Sequence, residues 1–232
     1  MAYQDFLRSE IINTIPKRKF DHIIEQINAS KDELKIKNIK LLAANRYYES
    51  NIPIEYWNLS MSKDFKGNNK LLNEFTNYVS NITDNYYNGT SLLFAGSHGL
   101  GKTMTVTCIL KKAVEKDYNA LYTNLSDIVN VLISSSGSEK TIAFRELKMV
   151  DFLVIDEFDS RFIQSDKAAD LYAQTLESIF RARIQNKLPT LMCTNSPNIL
   201  ESFHGPLKDS IESLTTGYLK TVVVMGEDFR SL

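Results

Sequence analysis

The chain has 232 residues, of which 43% are hydrophobic and 24% charged, with 27 basic and 28 acidic side chains and a formal net charge of −1. That size admits one large domain, or one domain with a small appendage, of ordinary globular composition. The balanced charge excludes binding of nucleic acid through overall positive charge, so any such contact must come from a local patch. No run approaches the roughly 20 apolar residues that span a bilayer, and the N-terminal stretch has no apolar core of the signal-peptide kind. A soluble, cytoplasmic protein without membrane contact is expected. The only cysteines are Cys108 and Cys193. With no CxxC pair and no histidine cluster, no zinc site is indicated, and two free thiols suit a reducing compartment.

In chain order, residues 1–50 read as a charged, helical N-terminal region, with Ser30 and Glu33 spaced as a capping box. "NIPIEYWNLSMSKDFKGNN" follows as a linker that must pack onto something, because Tyr56 and Trp57 are costly to leave bare. Leu71, Leu72, Phe75, Tyr78, Val79 and Ile82 recur at helical spacing. Five short apolar runs then alternate with helical stretches. Strands are predicted at 91–96, 119–125, 151–159, 188–195 and 218–226, and helices at 102–116, 126–135 (capped by Ser126), 141–150 and 166–187. Alternation of this kind predicts an α/β fold, a parallel sheet with helices on both faces. Ligands of such sheets bind at the carboxyl ends of the strands, and three motifs fall there.

The first is Gly96-Ser97-His98-Gly99-Leu100-Gly101-Lys102-Thr103, with Met104 next, a full match to G-x-x-x-x-G-K-[ST] between a strand and a helix. The glycines let backbone N–H groups converge on an anion, and the helix N-terminus adds its dipole. Lys102 reaches the β- and γ-phosphates of ATP, and Thr103 offers its hydroxyl to Mg²⁺. The second motif is "FLVIDE", four apolar residues that deliver Asp156 and Glu157 to a strand end. Asp156 is expected to hold Mg²⁺, mostly through water, and Glu157 to polarise the attacking water as general base. The third is Asn195, which ends "LPTLMCTN". It either positions the lytic water or serves as a turn residue before Ser196-Pro197. Arg181 and Arg183 close the long helix, either as solvated charges that suit the helix dipole or as trans-acting groups that reach a neighbour's phosphate. Lys111, Lys112, Lys116 and Lys148 are candidates for a DNA patch, against a plain solvated face.

These residues together resemble an AAA+ ATPase, a P-loop NTPase core with a five-stranded parallel sheet. More narrowly they resemble the DnaC-type replicative-helicase loaders and the related IstB-type transposition helpers. "NIPIEYWNLSMSKDFKGNN", "ARIQNKLPTLMCTN" and the ending "GEDFR" are similar to the corresponding stretches of that family. The resemblance spans about 50–232. It implies an ATPase core over 51–232 that binds ATP and Mg²⁺, self-associates and contacts single-stranded DNA, and a helical region over 1–50 that grips a ring helicase. It also gives Asn195 the family's sensor role. The chain departs from the family in one respect. "GPLKDSIESLTTG" holds Lys208 but no arginine where the family carries one that acts across subunits, and Arg230 is a loose substitute. Three functions are therefore weighed: an ATP-dependent loader of a replicative helicase onto single-stranded DNA, an IstB-like transposition helper, and a nucleotide-gated adaptor with little hydrolysis.

Overall fold

The computed structural model describes residues 43–135, 137–159, 166–199, 203, 208–209, 211–213, 217–226 and 228–229, with side chains of the helix at 166–185 described from Tyr172 onward. The expectations for residues 1–42 and Arg230 lie outside the described residues.

Five strands form one parallel sheet: β1 (Ser91–Ala95), β2 (Ala120–Asn124), β3 (Phe152–Asp156), β4 (Thr190–Thr194) and β5 (Leu219–Val223), in the order β2-β3-β4-β1-β5. The helices are α1 (Asn69–Ser80), α2 (Ile82–Asn88), α3 (Lys102–Glu115), α4 (Leu125–Ser134), α5 (Gly137–Met149) and α6 (Asp166–Gln185). The inner strands β1, β3 and β4 carry near-continuous apolar runs because both faces of the sheet are covered there, whereas Lys220 and Thr221 of β5 are exposed. Their two-residue period splits the core in two. Leu92, Phe94, Phe152, Val154, Leu191 and Cys193 pack with α1 and α3, through Leu71, Val106, Ile109, Leu110 and Ala113. Leu93, Leu153, Ile155 and Met192 pack on the other face with α4, α5 and α6, through Ile128, Leu132, Leu147, Leu176 and Ile179.

Three local features differ from the sequence reading. The run from Leu71 to Ile82 is two helices, not one. Asn81 breaks it at φ −116°, and its side-chain amide donates to the Asn77 carbonyl at 3.0 Å, the competition with helix backbone that asparagine offers. The cap of α4 is Asn124, not Ser126: its Oδ1 accepts from the Asp127 N–H at 2.8 Å, and its amide donates to the Asp127 carboxylate at 2.9 Å. Helix α5 begins at Gly137, one turn before the predicted start.

The linker packs, as its aromatics require. Trp57 is buried and donates from Nε1 to the Ile52 carbonyl at 2.8 Å. Lys111 of α3 reaches under this strap and donates to the carbonyls of Tyr56, Trp57 and Leu59 at 2.9, 2.9 and 2.6 Å. Lys111 is therefore an internal clamp rather than part of a DNA-facing surface. The helical turns at 43–49 join the same core through Ala44 and Tyr47, and the Tyr47 hydroxyl donates to Glu115 at 3.0 Å. Next in the chain, the Tyr122 N–H donates to the Ser50 carbonyl at 2.8 Å, and the Asn51 side-chain amide donates to the Tyr122 carbonyl at 2.8 Å. Strand β2 is an outer strand of the sheet, and these two bonds occupy backbone groups that an edge otherwise leaves open.

Candidate nucleotide site

Neighbouring strands of a sheet lie about 4.8 Å apart, so the order β3-β4-β1 sets three strand ends side by side. The motifs at those ends, separated in sequence, converge on one cavity of about 350 Å³. His98 to Met104, Asp156, Glu157 and Asn195 all line it.

The loop after β1 is glycine-dependent at two points. Gly99 has φ +73°, and a Cβ there would lie 1.8 Å from the Asp228 carboxylate. Gly101 has φ +90° and precedes α3, and a Cβ there would lie 2.6 Å from the Phe65 ring. Only glycine meets both the left-handed backbone and the close approach. The buried Lys102 ammonium donates to the carbonyls of Gly96 at 2.8 Å and Ser97 at 2.6 Å, so it is held against the loop. Thr103 follows in the first turn of α3, where N–H groups have no helical partner.

Asp156 is 4% exposed. Its Oδ2 accepts from the Tyr122 hydroxyl at 2.7 Å, and its Oδ1 accepts from the Glu157 N–H at 2.8 Å. At Glu157 the backbone leaves the strand with φ +48°, a left-handed conformation that costs a non-glycine residue about 1–2 kcal/mol. The turn has a visible consequence. The Phe158 N–H donates to the Cys193 carbonyl at 2.8 Å and its ring is fully buried, while the Glu157 side chain is exposed on the cavity wall. Strain of this kind concentrates at functional sites. The charge of Glu157 and, before it, burial raise the carboxyl pKa of Asp127. Burial and then the adjacent Asp156 push the Tyr122 hydroxyl and the Cys193 thiol up, so both stay protonated beside a carboxylate.

The donor set fits a magnesium ion. A carboxylate and a threonine hydroxyl share the cavity, and among the described residues no group of three or more His, Cys, Asp or Glu side chains is placed to hold a metal. Mg²⁺ bound with nucleotide takes few protein ligands and keeps several waters.

The cavity also gathers residues that the motifs did not point to. Tyr56, Asp64, Phe65, Lys66 and Gly67 from the strap, and Phe229 beyond β5, complete its wall. The Phe65 ring lies against Gly101 of the loop. The Phe229 N–H donates to the Gly99 carbonyl at 3.1 Å. No local pattern marks these residues, because their role comes from contacts far along the chain. Tyr122 was hidden for a different reason. It looks like any strand aromatic, yet it lies diagonal to Asp156, since the sheet register pairs Tyr122 with Val154 and Asn124 with Asp156, and an aromatic reaches across that diagonal.

Arg183 requires a correction. It is 1% exposed, and donates to Thr190 Oγ1 at 2.8 Å and to the carbonyls of Leu147, Val150 and Pro189 at 3.0, 2.8 and 2.6 Å. A guanidinium enclosed in this way ties α5, α6 and the start of β4 together and does not reach a neighbouring subunit. Arg181 points outward, its side chain 71% exposed and paired with Glu177 at 2.6 Å.

With this geometry in hand, comparison with known proteins defines the class. The "ATPase family associated with various cellular activities (AAA)" matches residues 92–207, from β1 past β4. The chain belongs to that family, and membership implies ATP binding and hydrolysis. Among solved structures it is similar to DnaI, with a TM-score of 0.58 and 18% identity over 77% of this chain and 94% of that one. It is likewise similar to a DnaC helicase loader, with a TM-score of 0.57 and 21% identity over 74% of this chain and 99% of that one. The replication initiator DnaA, bound to AMPPCP and single-stranded DNA, aligns with a TM-score of 0.55 and 17% identity over 74% of this chain and 50% of that one. At these identities the likeness is one of fold. Comparison with curated proteins gives no match. Among the described residues no helix is long and apolar enough to cross a membrane.

Proposed function

We propose that this protein is an ATP-dependent loader of a replicative ring helicase onto single-stranded DNA, with its core over 51–232 and its helicase-binding arm over 1–50. The observation that carries the ATPase part is the convergence of Gly99–Thr103, Asp156, Glu157 and Asn195 on one cavity. The loader part is supported by fold likeness to DnaI and the DnaC helicase loader, nearly all of whose chains are covered.

In this reading the loop N–H groups and Lys102 hold the phosphates, and Lys102 exchanges its bonds to the Gly96 and Ser97 carbonyls for phosphate oxygens. Thr103 and Asp156 hold the magnesium ion, which neutralises charge on the phosphates when bound. Glu157, held out by its left-handed backbone, accepts the proton of the attacking water, and Asn195 orients that water from the end of β4. Catalysis here is positioning and charge stabilisation rather than covalent chemistry. Bound nucleotide then orders the contact between copies of the core, and hydrolysis releases it.

A second reading has its own support. None of the described arginines lines the cavity, and Arg183 is engaged internally. A nucleotide-gated adaptor that hydrolyses only with a partner fits that observation, with the exposed Arg181 as a candidate to act across a subunit boundary. The deciding experiment is steady-state ATP hydrolysis with and without single-stranded DNA, beside Lys102→Ala, followed by co-purification with a ring helicase. The loader reading predicts turnover that rises with DNA and is lost in the variant, whose nucleotide affinity falls at least roughly a hundredfold, the loss of a charge-assisted phosphate contact in a buried site. Tight binding with negligible turnover favours the adaptor. Wild-type affinity in Lys102→Ala removes the loop from the phosphate role.

A further inference from the structure

Asp156 sits at the end of β3 with one N–H or O–H donor on each carboxylate oxygen, beside the Cys193 thiol, which hydrogen-bonds to the same group. One donor, the Glu157 N–H, belongs to its own backbone turn. The other, the Tyr122 hydroxyl, comes from a different strand and is fixed from behind. The backbone of Tyr122 is held on both sides by the strap, its N–H by the Ser50 carbonyl and its carbonyl by the Asn51 amide. Asn51 itself has φ +57°, a conformation that aims its amide at the strand edge and that asparagine tolerates better than most residues. Beneath it, Lys111 anchors the strap to α3, and Trp57 closes the strap on itself through the Ile52 carbonyl.

We propose that Tyr122 is a positioning residue for the metal site, its hydroxyl setting the plane of the Asp156 carboxylate and its backbone tying that carboxylate to the Ser50–Asn51 strap. The proposal rests on the reading of Asp156 as a magnesium-holding group. Each carboxylate oxygen has two lone-pair sites. Tyr122 and Glu157 occupy one apiece, the Cys193 thiol also hydrogen-bonds to the carboxylate, and the remaining capacity is left for the metal and its waters. With the tyrosine hydroxyl removed, the carboxylate loses the one donor that reaches it from β2 and is freer to turn about its last torsion, so the remaining acceptors no longer face a fixed point. Partners of metal-holding groups commonly matter in this way. The link to the strap makes the orientation of Asp156 depend on a segment outside the ATPase motifs, directly after the helical turns at 43–49.

The test is equilibrium binding of a fluorescent, non-hydrolysable ATP analogue to the full chain, in EDTA and in excess Mg²⁺, for wild type, Tyr122→Phe, Asn51→Gly and Asp156→Asn. Wild type should bind more tightly with Mg²⁺, and Asp156→Asn should lose that gain. Tyr122→Phe should keep wild-type affinity in EDTA and lose roughly tenfold of the Mg²⁺-dependent gain, the lower end for partners of metal ligands. Asn51→Gly keeps the left-handed backbone without strain and removes only the amide, so it should show a smaller loss, roughly threefold, of the same kind. A plain folding defect would weaken binding in EDTA as well, and that pattern in both variants overturns the proposal. A full Mg²⁺ gain in Tyr122→Phe, alongside its loss in Asp156→Asn, overturns it while leaving Asp156 as the metal group. A full gain in Asp156→Asn overturns the reading of the site and the proposal together.

Discussion

Glu157 and Arg183 show how differently two charged residues can be used. Glu157 occupies a strained backbone position that puts its carboxylate on the cavity wall and sends Phe158 inward. Glu157→Gln keeps the shape and removes the base. It is expected to bind ATP with wild-type affinity and to slow turnover roughly 100-fold or more, within the range for loss of a general base, as measured by single-turnover hydrolysis. Arg183 is the reverse case, a charge committed to structure. Replacing it with methionine takes the guanidinium donor from the Leu147 and Val150 carbonyls and from Thr190 Oγ1, while the Pro189 carbonyl keeps the Leu153 N–H. Loss of about 3–5 kcal/mol is expected, the range for breaking a buried charged network, and chemical denaturation measures it. The burial of Arg183 was not legible in the sequence. A basic residue in the last turn of a helix reads as a solvated charge, and only the packing of α5 against α6 encloses it. By contrast, Asp156 and Asn195 could be placed from sequence because an apolar strand delivers each to the same edge of the sheet, and Lys102 because the glycine loop after β1 sets it at the start of α3.

At the scale of elements, caps and breaks decide where helices sit, and α4 carries the clearest case. Asn124 ends β2 and starts α4 with no loop between them, so one side chain terminates the strand and caps the helix. Asn124→Ala should cost about 1 kcal/mol, a fall in the thermal midpoint of roughly 2–4 °C for a chain of this size, read by thermal unfolding. The sequence placed this helix but not its cap, because Ser126 two positions later is an equally good capping residue by type. The strands were legible for a physical reason: a strand covered on both faces carries a near-continuous apolar run, as Phe152 to Ile155 and Leu191 to Cys193 do. The strap was legible only as something that must be buried. Its partners, Lys111 on α3 and Tyr122 on β2, lie more than fifty residues away and leave no local pattern.

Over the whole molecule, the sheet order explains why one cavity collects so many separated segments. Strand β1, which carries the phosphate loop, lies between β4 and β5, both formed from chain far beyond it. After β5 the chain continues over the loop: the Val224 N–H donates to the Ala95 carbonyl at 2.7 Å, the Asn68 amide donates to the Met225 carbonyl at 2.9 Å, and Phe229 binds Gly99. This has a consequence for synthesis. A ribosome releases Gly96–Thr103 early, but β1 then has neither of its neighbours, and the loop lacks the segment that closes over it. Nucleotide therefore finds no finished pocket on a nascent chain, and its binding energy is not available to guide the early core. Capture of nucleotide is a late event that marks a completed sheet, so an incomplete copy is silent toward ATP rather than a partly active competitor.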